Sequence, residues 1–135
     1  MLYPKKLKYS KYHRGTLKGK NYQENKLYFG KFGLLALEAT WVTTNQLESV
    51  RKVISNSTQR EAKLWFRIFP DKPITLRSSE SRMGSGKGSL DHWVSPVKLG
   101  TIILEIDYVS KEIAKNSLKL AAHKLPMKLE FISKF

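Results

Sequence analysis

Cysteine is absent from the 135 residues, which excludes disulfides, thiolate metal ligands and a cysteine nucleophile together. Its absence is compatible with a reducing compartment. No stretch approaches the ~20 consecutive apolar residues of a membrane span. The N-terminus also lacks the apolar core of a secretory signal. Met1-Leu2-Tyr3-Pro4 runs directly into lysines, so the expectation is a chain without a cleavable targeting segment, made where it works. Histidines are few, and His13 and His123 have no carboxylate or second histidine at metal-ligand spacing. Asp91 and His92 adjoin each other, but strand neighbours point to opposite faces and make a poor acid–base pair.

Acidic residues are scarce as well. Eleven Asp and Glu stand against 25 Lys and Arg, a formal charge of +14. Charge of one sign on so small a body repels itself, and a polyanion removes that penalty. The basic residues divide as 19 Lys to 6 Arg. Lysine suits a diffuse phosphate field as a point charge, whereas bidentate reading of DNA bases favours arginine. RNA is therefore the expected partner and DNA is not. An anionic membrane would require an amphipathic helix with a bulky apolar face.

Apolar residues make up 41% of the chain, enough for one small core. Residues 1–26 contribute little to it. Lys5, Lys6, Lys8, Lys11, Arg14, Lys18 and Lys20 occur there with no acid among the first twenty residues, interleaved with Tyr3, Tyr9, Tyr12, His13 and Tyr22. A solvated tail is one reading. The other is an extension that threads between RNA helices, with lysines on phosphates and rings on bases or sugars. The tyrosines favour the second.

The remainder, residues 27–135, reads as a single α+β domain: a mainly antiparallel sheet with two helices packed on one face. Leu27 to Val42 is extended, interrupted at Gly30 and Gly33. Thr43 and Gln46 form a capping box at the start of a helix whose apolar stripe is Leu47, Val50 and Ile54, with Arg51 and Lys52 outward. Lys63 to Phe69 is the clearest strand and is taken as central. Leu64, Phe66 and Ile68 share one face; Trp65, Arg67 and Phe69 share the other. Arg67 is expected to contact RNA, while Trp65 fits either the core or a stacked base. Pro70 to Pro73 reads as a turn, Ile74 to Arg77 as a short strand and residues 78–90 as a polar loop. Trp93 to Leu99 and Thr101 to Asp107 read as two strands turning at Gly100, with Pro96 marking an edge or bulge. Ser110 caps a second helix whose apolar face is Ala114, Leu118, Ala121, Ala122 and Leu125. Small residues there suit packing on a sheet, which argues against lipid. Pro126 ends that helix, and Met127, Leu129 and Phe131 alternate as a last strand.

The loop Arg82-Met83-Gly84-Ser85-Gly86-Lys87-Gly88-Ser89 fails as a nucleotide cradle. A P-loop needs Gly-Lys-Ser/Thr, but Gly88 follows Lys87, and Ser81 stands where the first glycine belongs. A dinucleotide fingerprint would require glycine at Ser89. What remains is a surface loop, or one whose glycines bring the main chain close to phosphates that Arg82 and Lys87 neutralise. The expectation is a protein with no catalytic residue, metal or cofactor.

The same loop, with Trp93 four residues after Ser89, resembles the signature of the bacterial-type large-subunit ribosomal protein L sixteen family. A second signature runs from Arg60-Glu61-Ala62-Lys63-Leu64-Trp65-Phe66-Arg67 through Ile68-Phe69-Pro70 to Thr75. Met1 to Lys6, His13-Arg14-Gly15, Phe29-Gly30 and Leu120 to Leu125 resemble it too, so the similarity runs nearly end to end. Gln59 replaces a basic residue usual in the family, Phe66 an aliphatic one, and the helix around Arg51 and Lys52 is poorer in arginine.

The resemblance implies a structural constituent of the large subunit, bound to its rRNA beside the aminoacyl-tRNA site and touching neighbouring ribosomal proteins. Arg82, Met83, Gly84, Ser85, Gly86, Lys87 and Gly88 would approach tRNA near the peptidyl-transferase centre. The N-terminal cations Lys5, Lys6, Lys8, Lys11, Arg14, Lys18 and Lys20, with His13, would enter rRNA, joined by Arg51, Lys52, Lys63 and Arg67 on the domain. An A+T-rich codon bias, written in abundant Lys, Asn, Tyr and Ile, suggests a chain encoded in a mitochondrion or plastid, with the bacterial cytoplasm as alternative. A free RNA chaperone or regulator is the competing function.

Overall fold

The computed structural model describes residues 26–76 and 89–134. Strands β1 (Phe32–Ala36) and β2 (Thr40–Thr43) precede helix α1 (Thr44–Ser57). Strands β3 (Lys63–Phe66), β4 (Lys72–Leu76), β5 (Ser89–Val97) and β6 (Ile102–Asp107) follow, then helix α2 (Lys111–Ala122) and strand β7 (Leu129–Ser133). The class is α+β, and every strand pairing among the described residues is antiparallel. The strands divide into two sheets, β3-β6-β1-β7 and β2-β5-β4.

Local chemistry sets the helix starts. The Thr43 hydroxyl accepts from the Gln46 N–H at 3.2 Å, and the Gln46 amide oxygen accepts from the Thr43 N–H at 2.9 Å. Both halves of the capping box are thus made, each satisfying an otherwise free donor. Leu47, Val50 and Ile54 are buried, as their helical spacing predicts. Ser110 caps α2, which buries Ala114, Ser117, Leu118 and Ala121. The short side chains of Ala114, Ser117 and Ala121 let α2 lie close against α1 and over β1 and β7, while α1 also meets β2 and β5. Between helices and sheets lies one core, including Phe32, Leu34, Val42, Val97, Ile103, Leu104 and Ile106.

Several expectations are corrected. Strand β3 stops at Phe66 rather than Phe69 and forms the edge of its sheet, not the centre. Its inward residues Leu64 and Phe66 are only partly buried against the core. Pro73 lies inside β4 opposite Trp93, because β4 is an edge strand where a missing N–H is tolerated. Strand β5 is central to its sheet, yet Pro96 sits beyond the last β4 pair, Lys72 with Val94, so only β2 flanks it. Gly100, at φ 88°, does turn the chain. The strands on either side of it enter different sheets instead of a hairpin. The turn is tied to the end of β1, with Gly100 N–H donating to Ala36 O at 2.9 Å and Ala36 N–H to Thr101 O at 2.8 Å.

Candidate nucleic-acid interface

Residues 26–30 cross the face of the four-stranded sheet opposite the helices. The anchor beneath them is Glu105 on β6, fully buried. Its Oε1 accepts from the Phe29 and Gly30 N–H groups at 3.0 and 3.2 Å. Its Oε2 receives Arg67 Nη1 at 3.0 Å, and the same nitrogen donates to Lys26 O at 2.8 Å. A carboxylate can be kept in such a place only if cations and N–H groups surround it. Two glycines allow the close approach. A Cβ on Gly30 would lie 2.5 Å from Ile106 O, and one on Gly33 would meet Leu104 O and the Leu27 side chain at 2.7 Å.

Arg67, expected as an RNA contact, is therefore placed internally: 8% of its side chain is exposed, and the Tyr28 ring lies 5.0 Å from its guanidinium. Lys63, the candidate that does lie on β3, is exposed, with Nζ 5.3 Å from the Trp65 ring. Trp65 itself is partly buried and stacks on Phe29, centroids 6.1 Å apart and planes 22° apart. On α1, Arg51 and Lys52 point outward as expected, but Arg51 is drawn to Glu48 Oε2 at 3.1 Å. So exposed a pair contributes little to stability and leaves the arginine available to a stronger anion.

Sequence reasoning missed part of this surface. Tyr28 and Phe29 fall in an apolar run that reads as extended, yet each is 59% exposed, because the segment lies on the sheet rather than in it. Lys26 and Lys31, also exposed, flank them. No local pattern signals this; the partner of the segment is 76 positions away. In all, thirteen of the fifteen Lys and Arg among the described residues are exposed.

Lys5, Lys6, Lys8, Lys11, His13, Arg14, Lys18 and Lys20 lie outside the described residues, as do Arg82, Met83, Gly84, Ser85, Gly86, Lys87 and Gly88. The strands at both ends of the glycine-rich stretch are described. Leu76 and Ser89 are Cα partners, so β4 and β5 deliver the two ends of that stretch side by side. Ser89 and Leu90, assigned to the loop from sequence, are already strand.

The family model for ribosomal protein L16p/L10e matches residues 4–132. A protein of Phaeodactylum tricornutum, named large ribosomal subunit protein uL16c, is 58% identical over 134 residues, covering 99% of this chain and 97% of that one. Relatives of the same name from Thalassiosira pseudonana and Cyanidium caldarium are each 54% identical, covering 98% of this chain and 96% and 95% of their own lengths. With a match that runs almost from end to end, the chain belongs to the ribosomal protein L16p/L10e family.

Proposed function

We propose that this chain, by family a structural constituent of the large ribosomal subunit, binds large-subunit rRNA and helps to position aminoacyl-tRNA near the peptidyl-transferase centre. The observation that carries the RNA reading is the exposure of thirteen of fifteen described cations on a chain of net charge +14. Such a surface gains free energy by releasing counterions from a phosphate backbone. Lys63, Arg51 and Lys52 are the rRNA contacts on the domain, and the cations of residues 1–20 are those of the extension. Arg67 serves the fold that holds them. Neighbouring ribosomal proteins complete its surroundings, and peptide-bond chemistry lies elsewhere in the particle.

The tRNA role rests on the stretch between β4 and β5. Antiparallel pairing up to Leu76 and Ser89 brings together the two ends of the stretch that carries Arg82 to Gly88. The home of the chain is an organellar ribosome, in a plastid rather than a mitochondrion or a bacterial cytoplasm; the name uL16c shared by its relatives supports this.

The test is to build ribosomes with Arg82→Ala/Lys87→Ala and measure protein content and tRNA binding together. The double variant should enter large subunits at normal stoichiometry, yet bind or accommodate aminoacyl-tRNA more weakly, with a deficit that shrinks as magnesium is raised. Removing a desolvated, charge-assisted hydrogen bond to phosphate should cost on the order of 1–3 kcal/mol at each position. Normal tRNA kinetics with full incorporation would reduce the loop to a linker. Failed incorporation would make it an assembly contact. A wild-type chain that leaves large subunits in a moderate salt wash would favour a free RNA chaperone instead.

A further inference from the structure

The rings beside Glu105 are more exposed than packing requires. Tyr28 and Phe29 each keep 59% of their surface open. The hydrogen bonds that anchor residues 26–30 are made by backbone groups and Arg67, not by these rings. Any residue but proline could supply the Phe29 N–H, so the anchor does not explain an aromatic side chain there. Rings and cations alternate across this surface. The Arg67 guanidinium lies 5.0 Å from the Tyr28 ring, Phe29 stacks on Trp65, and Lys63 Nζ lies 5.3 Å from Trp65.

The charge of this face favours an anionic partner. The Glu105 carboxylate is buried beneath it and matched by Arg67. Lys26, Lys31 and Lys63 remain exposed around it. Two acids face the same side, Asp107 opposite Lys63 in the ladder and exposed Glu130 on the far edge strand β7, so the three lysines remain in excess. Exposed π-faces edged by lysine match a ligand that presents flat apolar rings on an anionic backbone, which describes a single strand of nucleic acid. A protein partner would have to alternate acidic and planar side chains to match it, whereas a nucleic-acid strand carries both along its whole length.

We infer that Tyr28, Phe29 and Trp65 form a stacking platform for unpaired bases of RNA, with Lys26 and Lys63 taking the adjoining phosphates. The inference rests on the RNA-binding reading above and gives it a site on the sheet, separate from the extension and the glycine-rich stretch. Stacking is tolerant of base identity, so the platform recognises unpaired nucleotides rather than a sequence.

The experiment uses the full chain and a single-stranded oligouridylate of about twelve nucleotides, the scale of single-strand binding sites. One form of the probe carries 4-thiouridine for photocrosslinking and another has abasic sugars in place of bases. Irradiation should attach the first to the segments holding Tyr28, Phe29 and Trp65. Phe29→Leu with Tyr28→Leu should weaken binding of the base-bearing probe roughly 5- to 100-fold. The salt slope should not change, because no charge is lost. The abasic probe should bind wild type and variant alike. Lys63→Gln should instead lower the salt slope by roughly one phosphate contact. Thermal unfolding of each variant controls for folding, and Trp65→Phe, which keeps a ring, should bind nearly as wild type. Equal affinity of wild type and the Tyr28/Phe29 variant for the base-bearing probe would overturn the platform. So would crosslinks confined to other segments, or, in assembled subunits, a protein neighbour crosslinked to these rings. A wild-type chain that binds neither probe nor large-subunit rRNA would defeat the RNA-binding reading itself.

Discussion

Arg67 Nη1 lies 3.0 Å from Glu105 Oε2, joining the residue that follows edge strand β3 to inner strand β6, beneath the segment that leads in from the N-terminus. The pair does not act alone. The other Glu105 oxygen holds the Phe29 and Gly30 N–H groups, and Arg67 also holds Lys26 O. One buried carboxylate thus fixes the sheet edge and the crossing segment together. Burying two charges costs desolvation, so the pair is weak as a source of net stability but expensive to break from one side.

Glu105→Ala should therefore destabilise the full chain by about 3–5 kcal/mol, since it leaves Arg67 as an uncompensated buried cation and frees two backbone N–H groups. Arg67→Met should be comparably harmful because the bare carboxylate remains. Arg67→Met with Glu105→Gln should recover much of the loss. Urea unfolding followed by circular dichroism gives all three values. Strictly additive losses would show that the two residues are not coupled.

The close approach of the crossing segment yields a second expectation. A Cβ at Gly30 would stand 2.5 Å from Ile106 O and 2.8 Å from its carbonyl carbon. Backbone on the inner strand of a sheet yields little, so Gly30→Ala should lift the segment and weaken the hydrogen bonds to Glu105. The expected loss is about 1–3 kcal/mol, the scale of overpacking. Hydrogen exchange should show faster exchange at the Phe29 amide before any change in α1. Unchanged exchange there would mean that the segment does not bear on β6.

Core substitutions should rank by depth. Leu104 is fully buried, whereas Phe66 lies on the edge strand β3 and is only partly covered. Leu104→Ala should cost about 2–5 kcal/mol. Phe66→Ala should cost less than the roughly 3–5 kcal/mol typical of a fully enclosed phenylalanine. Chemical denaturation of the two variants in parallel checks the order. A larger loss at Phe66 than at Leu104 would mean that β3 is better covered than an edge strand.

The sequence was most legible where structure depends on neighbours along the chain. Thr43 with Gln46, and Leu47, Val50 and Ile54 behind them, need only helical spacing to declare cap and stripe, and Ser110 did the same for α2. It was least legible where a distant partner decides. Arg67 looked like a free cation because nothing near it in sequence reveals Glu105, 38 positions on. Tyr28 and Phe29 read only as extended because their apolar character is the same whether they pair in a ladder or lie across one. Gly100 marked a turn correctly, but a turn does not state which sheet each arm enters. Pro73 argued against strand by its missing N–H, an objection that lapses at an edge. On the candidate surface, outward Arg51 and Lys52 followed from local pattern, while the exposed rings beside Glu105 emerged only from the fold.

The N-terminal extension supplies the last prediction. Residues 1–14 hold Lys5, Lys6, Lys8, Lys11 and Arg14 with no acid, while the buried hydrophobic core of the described residues runs from Leu27 to Met127. Deleting residues 1–14 should therefore leave the melting behaviour of the domain nearly unchanged. Binding to large-subunit rRNA should weaken and, more tellingly, lose part of its salt dependence. Each phosphate contact contributes a slope of roughly 0.7–0.9 in log K against log salt. If all five cations sit on phosphates, the slope should fall by about 3.5–4.5. Affinity alone could drop for many reasons, including a disturbed fold, but a smaller slope with an intact melt reports counterions no longer released. Filter binding over a range of potassium concentrations measures it. An unchanged slope would mean that these cations remain solvated in the complex and that Lys26, Lys63 and the rest of the domain surface carry the electrostatic attraction.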